Sequence, residues 1–376
     1  MNITLSHIEF HLFELPLLML LFISFCSISI SSGMGIKLRD SKQLTLFLTG
    51  FFLFLTAILA SSIFALKPGM IFKALLKWTE VLFLALLVFF YIRTRKSFKK
   101  IYWVLFASMF GYSIISFYWL MTGRLAEYGF RLPGGYDSLF ALSMIIPFIK
   151  KKSGTFILIG FVVIVNVFFS FSRGAWLGLV LLLAYITRFF YSKNKKRTII
   201  TLALIIGVLV AISSDNIAEL VNWRWSTSFD SGNASNIERA GLIRVAFEAF
   251  LSSPLLGIGA LNYSTYLINT SDLYIMRAEI LETMTPHNFF LEVLSELGLF
   301  GFFALLLLFY SIYLALVFAR SEKSSNYGNC YREGLLLLFF SFLFAISLGF
   351  ISGGYRFYMA LLFGMALSLT RAGEDD

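Results

Sequence analysis

Charge is scarce in this chain of 376 residues: 14% are Asp, Glu, Lys or Arg, against 59% hydrophobic and 18% aromatic. With a mean hydropathy of +0.82, an ordinary soluble domain is excluded. Cysteine is scarcer still. Cys26 falls inside an apolar run and Cys330 in a loop assigned to the cytoplasmic side, so neither a disulfide nor a metal site is expected. No repeat of fixed period is visible. The first apolar segment lacks a basic n-region and a small-residue cleavage site, so no cleavable signal is expected.

What the chain has is length in hydrocarbon. Apolar runs fit for crossing a bilayer recur at 13–32, 44–66, 74–92, 101–121, 137–149, 154–170, 174–190, 198–213, 289–319, 334–351 and 355–370. Helices satisfy their own backbone in lipid, so the expected fold is an all-α, polytopic membrane helix bundle of eleven or twelve spans. One long extracytoplasmic loop divides it. Residues 1–212 hold the N-terminal transmembrane helices, 213–286 the loop with an amphipathic helix, and 287–376 the C-terminal helices.

The loops predict orientation. Lys37, Arg39, Lys42; Arg93, Arg95, Lys96, Lys99, Lys100; Lys150 to Lys152; Arg188, Lys193, Lys195 to Arg197; Arg320, Lys323, Arg332; and Arg371 all fall in alternate loops. Positive residues collect on the cytoplasmic side, which puts the N-terminus outside and the C-terminus inside. The net charge of +10 is mostly this signal, and nucleic-acid binding does not follow from it.

Basic residues outside that pattern ask for another cause. Arg173 lies in Ser172-Arg173-Gly174-Ala175, with almost no loop between two apolar runs. Such an arginine costs a few kcal/mol on insertion scales unless partner or water meets it. Arg239 and Arg244 follow Ser235-Asn236-Ile237-Glu238, which reads as a capping box. The helix after it carries Ile237, Leu242, Ile243, Ala246, Phe247, Phe250 and Leu251, a broad face for the membrane surface or the bundle. Five positions apart, the two arginines project about 140° from each other. Arg224 is on the same face; Arg131 and Arg356 could contribute from other turns there. Cations snorkelling from an interfacial helix would give some of this pattern. Guanidinium forks suit phosphate oxygens, however, and such a gathering without matching acids points to an anion.

His287, in Thr285-Pro286-His287-Asn288, is the candidate base. Thr285 as cap and Pro286 at the first helical position would put the ring in the first helical turn. There the helix dipole disfavours imidazolium, leaving a neutral ring able to accept a proton. Glu292 and Glu296 continue down the same helix towards Gly298 and Gly301. His7 and His11 receive no role. Asp215, Asp230, Asp272 and Glu279 are scattered, and no Asp-x-Asp appears outside, which argues against a metal-dependent sugar-nucleotide enzyme.

Three stretches in order resemble one family. They are Phe171-Ser172-Arg173-Gly174-Ala175-Trp176-Leu177-Gly178; Arg239 to Arg244 leading to Pro254-Leu255-Leu256-Gly257-Ile258-Gly259; and His287-Asn288 to Glu296-Leu297-Gly298-Leu299-Phe300-Gly301. The chain resembles the O-antigen ligase and O-antigen polymerase superfamily over roughly 155–315. The resemblance implies a GT-C-like bundle in the bacterial inner membrane, with its active face periplasmic or extracellular. It implies transfer of a glycan from undecaprenyl diphosphate to lipid A-core, or to a second lipid-linked glycan in a polymerase of O-antigen or of capsular or exopolysaccharide. No cofactor and no metal are implied. Arg173, Arg239, Arg244 and, more loosely, Arg224 would hold the diphosphate, and His287 would be the catalytic base. Arg131, Arg356, Asn288 and Glu296 are accessory candidates. An odd number of spans departs from the family's even count. A lipid-linked oligosaccharide transporter is a competing reading, but it should show repeated halves and midplane charges.

Overall fold

The computed structural model describes residues 2–5, 8–11, 42–122, 134–149, 154–170, 172–191, 234–270, 284–318, 326–349 and 353–370. Eleven helices appear among them: α1 (Lys42–Ala60), α2 (Gly69–Tyr91), α3 (Arg95–Met121), α4 (Gly135–Ile149), α5 (Gly154–Phe169), α6 (Arg173–Tyr191), α7 (Ala234–Ser252), α8 (Tyr263–Thr270), α9 (Phe289–Phe318), α10 (Asn326–Ser347) and α11 (Gly353–Ser368). A short antiparallel hairpin of β1 (Asn2–Leu5) and β2 (Ile8–His11) precedes them, pairing Asn2 with His11. Among the described residues five segments are long and apolar enough to span a bilayer: Lys42–Phe64, Gly69–Tyr91, Arg95–Trp119, Phe289–Phe318 and Asn329–Ser347. Apolar stretches of α4, α5 and α6 are shorter. Apart from the hairpin the described residues are all-helical, with the long apolar helices of a multi-pass membrane protein. The expected spans at 13–32 and 198–213, and the candidates Arg224 and Arg131, lie outside the described residues.

The chain forms two compact units, each interleaved in sequence: Met1–Ile101, Glu238–Lys323 and Ile346–Asp376 make one, Tyr102–Ile237 and Ser324–Ala345 the other. In the first unit α1 lies along α9, and α2 along α11. Apolar side chains gain little by leaving lipid for protein, so close packing must hold such pairs. Phe47, Phe51 and Phe54 are fully buried. Phe47 meets Phe363 edge-on at 5.8 Å, and Phe54 meets Trp78 at 4.6 Å, the tilted geometry aromatic quadrupoles prefer.

In the second unit α4 packs on α5 and α6. Polar side chains staple its interior. The Asn166 amide donates to Ser138 Oγ (2.5 Å), which lies 2.7 Å from Ser113 Oγ; Ser143 pairs with Ser341 at 2.7 Å. The Tyr102 hydroxyl donates to the Met144 carbonyl at 2.6 Å. Such interhelical bonds average about 0.6 kcal/mol in membranes.

Helix boundaries depart from the apolar runs where polar residues extend them. α3 opens at Arg95, ahead of the run expected from 101, with Thr94 and Ser97 capping each other's backbone N–H groups at 3.2 Å. α10 opens at Asn326, so Cys330 and Arg332, expected in a loop, belong to the helix, and Cys330 is buried. Helical hydrogen bonding need not stop where hydrocarbon does, and Arg and Glu are good helix formers.

Candidate active site

His287 does not sit in the helical turn expected for it. Its backbone has φ 52°, in the left-handed region, and the helix proper opens at Phe289. Asn288 is the cap: its side-chain oxygen accepts the Leu291 N–H at 3.0 Å. His287 therefore stands just before the helix, not within its first turn, and the expected Thr285 cap is displaced. Burial is the main force pushing the imidazole below its ordinary value of 6.5. The Arg239 charge adds to that, and Glu238 opposes it. The expected neutrality thus has a different leading cause from the helix dipole.

α7 supplies these two charges. It opens at Ala234, so Ser235 lies inside the first turn instead of capping it. Its apolar residues divide into two faces. Leu242, Val245 and Ala246 pack with Tyr263 and Leu267 of α8, whereas Ile237, Ile243, Phe247 and Leu251 are exposed. Arg239 and Arg244 are exposed as well, and Arg244 Nε donates to Glu248 Oε1 at 2.8 Å, one turn on. In the second unit Arg173 opens α6, half-buried, and its Nη1 donates to Asn236 Oδ1 at 2.6 Å. Sequence spacing pointed to neither the Glu248 nor the Asn236 partner.

The long α9 explains the two glycine-bearing motifs. At Gly298 the backbone turns to φ 62°, ψ −164°, and the helix breaks. In an unbroken helix the Leu299 and Phe300 N–H groups would bond to the Ser295 and Glu296 carbonyls. Here they donate instead to Pro254 (2.8 Å) and Leu255 (3.2 Å), while Ile258 and Gly259 donate to Ser295 (3.1 Å) and Glu296 (3.0 Å). The segment Pro254–Gly259 fits into the break and satisfies two N–H groups and two carbonyls that an unbroken helix would have paired with each other. Irregular backbone within a membrane helix survives only when protein covers it in this way. Gly257 (φ 73°) and Gly298 are the contact points, and a Cβ on either would overlap the other segment's backbone.

Glu296, an accessory candidate, has a defined task at this junction. One carboxylate oxygen accepts the Leu261 N–H at 2.7 Å, the other the Tyr263 N–H at 3.0 Å. It thereby caps α8 and closes the turn at Leu261, whose φ is 57°. The Tyr263 hydroxyl donates to the Leu242 carbonyl of α7 at 2.6 Å. Burial, with the charges of Glu292 and Glu296, raises the phenol's pKa and keeps that donor protonated.

Glu292 and Lys77 were not among the candidates. Glu292 Oε2 is buried and has no hydrogen-bond partner among the described residues. Glu296, Lys77 of α2 and Arg356 in the first turn of α11 act on Glu292 electrostatically. The available signal was a charged residue inside an apolar run, which marks functional positions in membranes.

These features define a class, a multi-pass membrane protein with a broken helix, a neutral histidine at that helix's head and arginines on an adjoining helix. The family model described as O-antigen ligase matches residues 155–306. Over that stretch the chain is similar to the O-antigen ligase family. No match was found among the curated proteins.

Proposed function

We propose that the protein is a membrane glycosyltransferase that moves a glycan from undecaprenyl diphosphate to lipid A-core or a similar acceptor at the outer leaflet. The observation that carries this reading is the O-antigen ligase family match over residues 155–306, which contains His287, Arg239 and Arg244; burial and the Arg239 charge both lower the imidazole's pKa. In the proposed step, neutral His287 takes the proton of the acceptor hydroxyl as that oxygen attacks the anomeric carbon. The bond from that carbon to the diphosphate oxygen breaks, and the diphosphate leaves with the electron pair. Guanidinium groups stabilise its developing charge without a metal. Arg239 and Arg244 are the proposed donor ligands on α7; Arg173 and Arg224 are the further candidates. Asn288 and Glu296 serve the local structure, and Arg356 faces the charge of Glu292.

A polymerase would use the same donor and take a second lipid-linked glycan as acceptor. The test is transfer by the reconstituted protein from an undecaprenyl diphosphate-linked glycan to each acceptor in turn. His287→Ala should lower transfer by about 10²–10⁴-fold while donor binding persists. Undiminished transfer by that variant would remove His287 from the mechanism, and the acceptor consumed decides ligase against polymerase.

A further inference from the structure

We infer that Glu296 and Tyr263 are positioning residues: a hydrogen-bonded relay from α9 through α8 to α7 sets where Arg239 stands relative to His287. This rests on the reading of His287 and Arg239 as acting together in transfer.

The relay is continuous within one compact unit. The Glu296 side chain, 7% exposed, grips the N–H groups of Leu261 and Tyr263. Tyr263, 2% exposed, reaches from there to the carbonyl of Leu242. Leu242 lies between Arg239 and Arg244 on α7, so the contact falls on the turn that carries the arginines. At its other end Glu296 belongs to the part of α9 that His287 and the Asn288 cap immediately precede. The Pro254–Gly259 segment welds this part of α9 to the end of α7 through the backbone. The turn is also tied beyond the helices: Asn262 Oδ1 accepts the Lys67 N–H at 2.6 Å, and Ser61 Oγ accepts the Ala260 N–H at 3.2 Å. A carboxylate suits the Glu296 position because both groups facing it are donors. A glutamine would turn its NH₂ towards one of them and lose that bond. Catalytic geometry is sensitive to such supports, since displacements of about 1 Å can cost about 10²-fold in rate.

The experiment reads His287 directly. The chain has three histidines, His7, His11 and His287, so histidine-labelled full-length protein in nanodiscs gives a titration by NMR, assigned with His287→Gln. Two variants are compared with the native chain. Glu296→Gln breaks the turn; Tyr263→Phe removes only the hydroxyl and keeps the ring packing, which guards against misfolding. Groups facing His287 from α7 are Arg239 and Glu238. Loosening α7 weakens both; Arg239 acts on the imidazole more strongly than Glu238, so the midpoint should rise towards 6.5 in both variants. Transfer should fall in both variants, through kcat and, because α7 carries the proposed donor ligands, through donor KM as well. An unmoved His287 midpoint in folded Tyr263→Phe protein overturns the relay. The titration does not depend on catalysis. A raised midpoint alongside an active His287→Ala variant would therefore reject the base reading and leave the relay standing.

Discussion

Arg244 already gives its Nε to Glu248, whereas Arg239 lends its charge to His287. Replacing them should therefore have different consequences. Arg239→Ala should lower kcat by at least about 10-fold, because removing a preorganised charge costs several kcal/mol at the transition state. It should also move the acidic limb of the rate profile upwards. The sign follows from base catalysis: transfer needs neutral imidazole, so activity fails as pH falls through the folded value, which lies below 6.5. Without Arg239 that value rises, and the limb rises with it. Arg244→Ala should mainly weaken donor binding, since the side chain is exposed and far round the helix from Arg239. Initial rates against donor concentration and pH check both. Arg173 already gives its Nη1 to Asn236; if it also holds the donor phosphate as proposed, Arg173→Lys should transfer poorly, because an ammonium cannot reproduce a planar fork.

At the scale of elements, the break in α9 makes opposite predictions for glycines of similar appearance. Gly298→Ala and Gly257→Ala force a side chain onto a positive φ, at about 1–3 kcal/mol, and against backbone that cannot yield. Either should lower the thermal unfolding midpoint of the detergent-solubilised protein and its accumulation in the membrane. Gly241, inside α7, has open space where its Cβ would go. Gly241→Ala should raise stability by about 0.5–1 kcal/mol through helix propensity. A midpoint unchanged by Gly298→Ala would mean that the two segments can separate at little cost. The amphipathic reading of α7 was legible only in part. An apolar residue on a helix announces that it avoids water, but lipid and protein satisfy it equally. Ile243, Phe247 and Leu251 therefore read like Leu242 and Ala246 in sequence, yet lie on a different face.

For the whole molecule, the alternation of basic loops predicts that Lys195 and Asn233 lie on opposite sides of the membrane. Single cysteines at these two positions, probed with a membrane-impermeant reagent, should label from opposite sides; labelling from the same side would overturn the orientation. The sequence by itself determined the class of protein and most of its helices, because a bilayer imposes one simple demand, about 20 apolar residues per crossing. It also marked His287 and the arginines, since ionisable groups at helix ends stand out against an apolar background. Tertiary structure alone decided what those groups meet. Gly298 reads as one more small residue in an apolar run, and its break becomes visible only when Pro254–Gly259 supplies the missing hydrogen bonds. Glu296 caps a turn 33 residues earlier in the chain, and Glu292 acquires Lys77 and Arg356 from two other helices. Local pattern records each residue's preference for water or lipid. Partners brought together by folding are recorded in no single stretch of it.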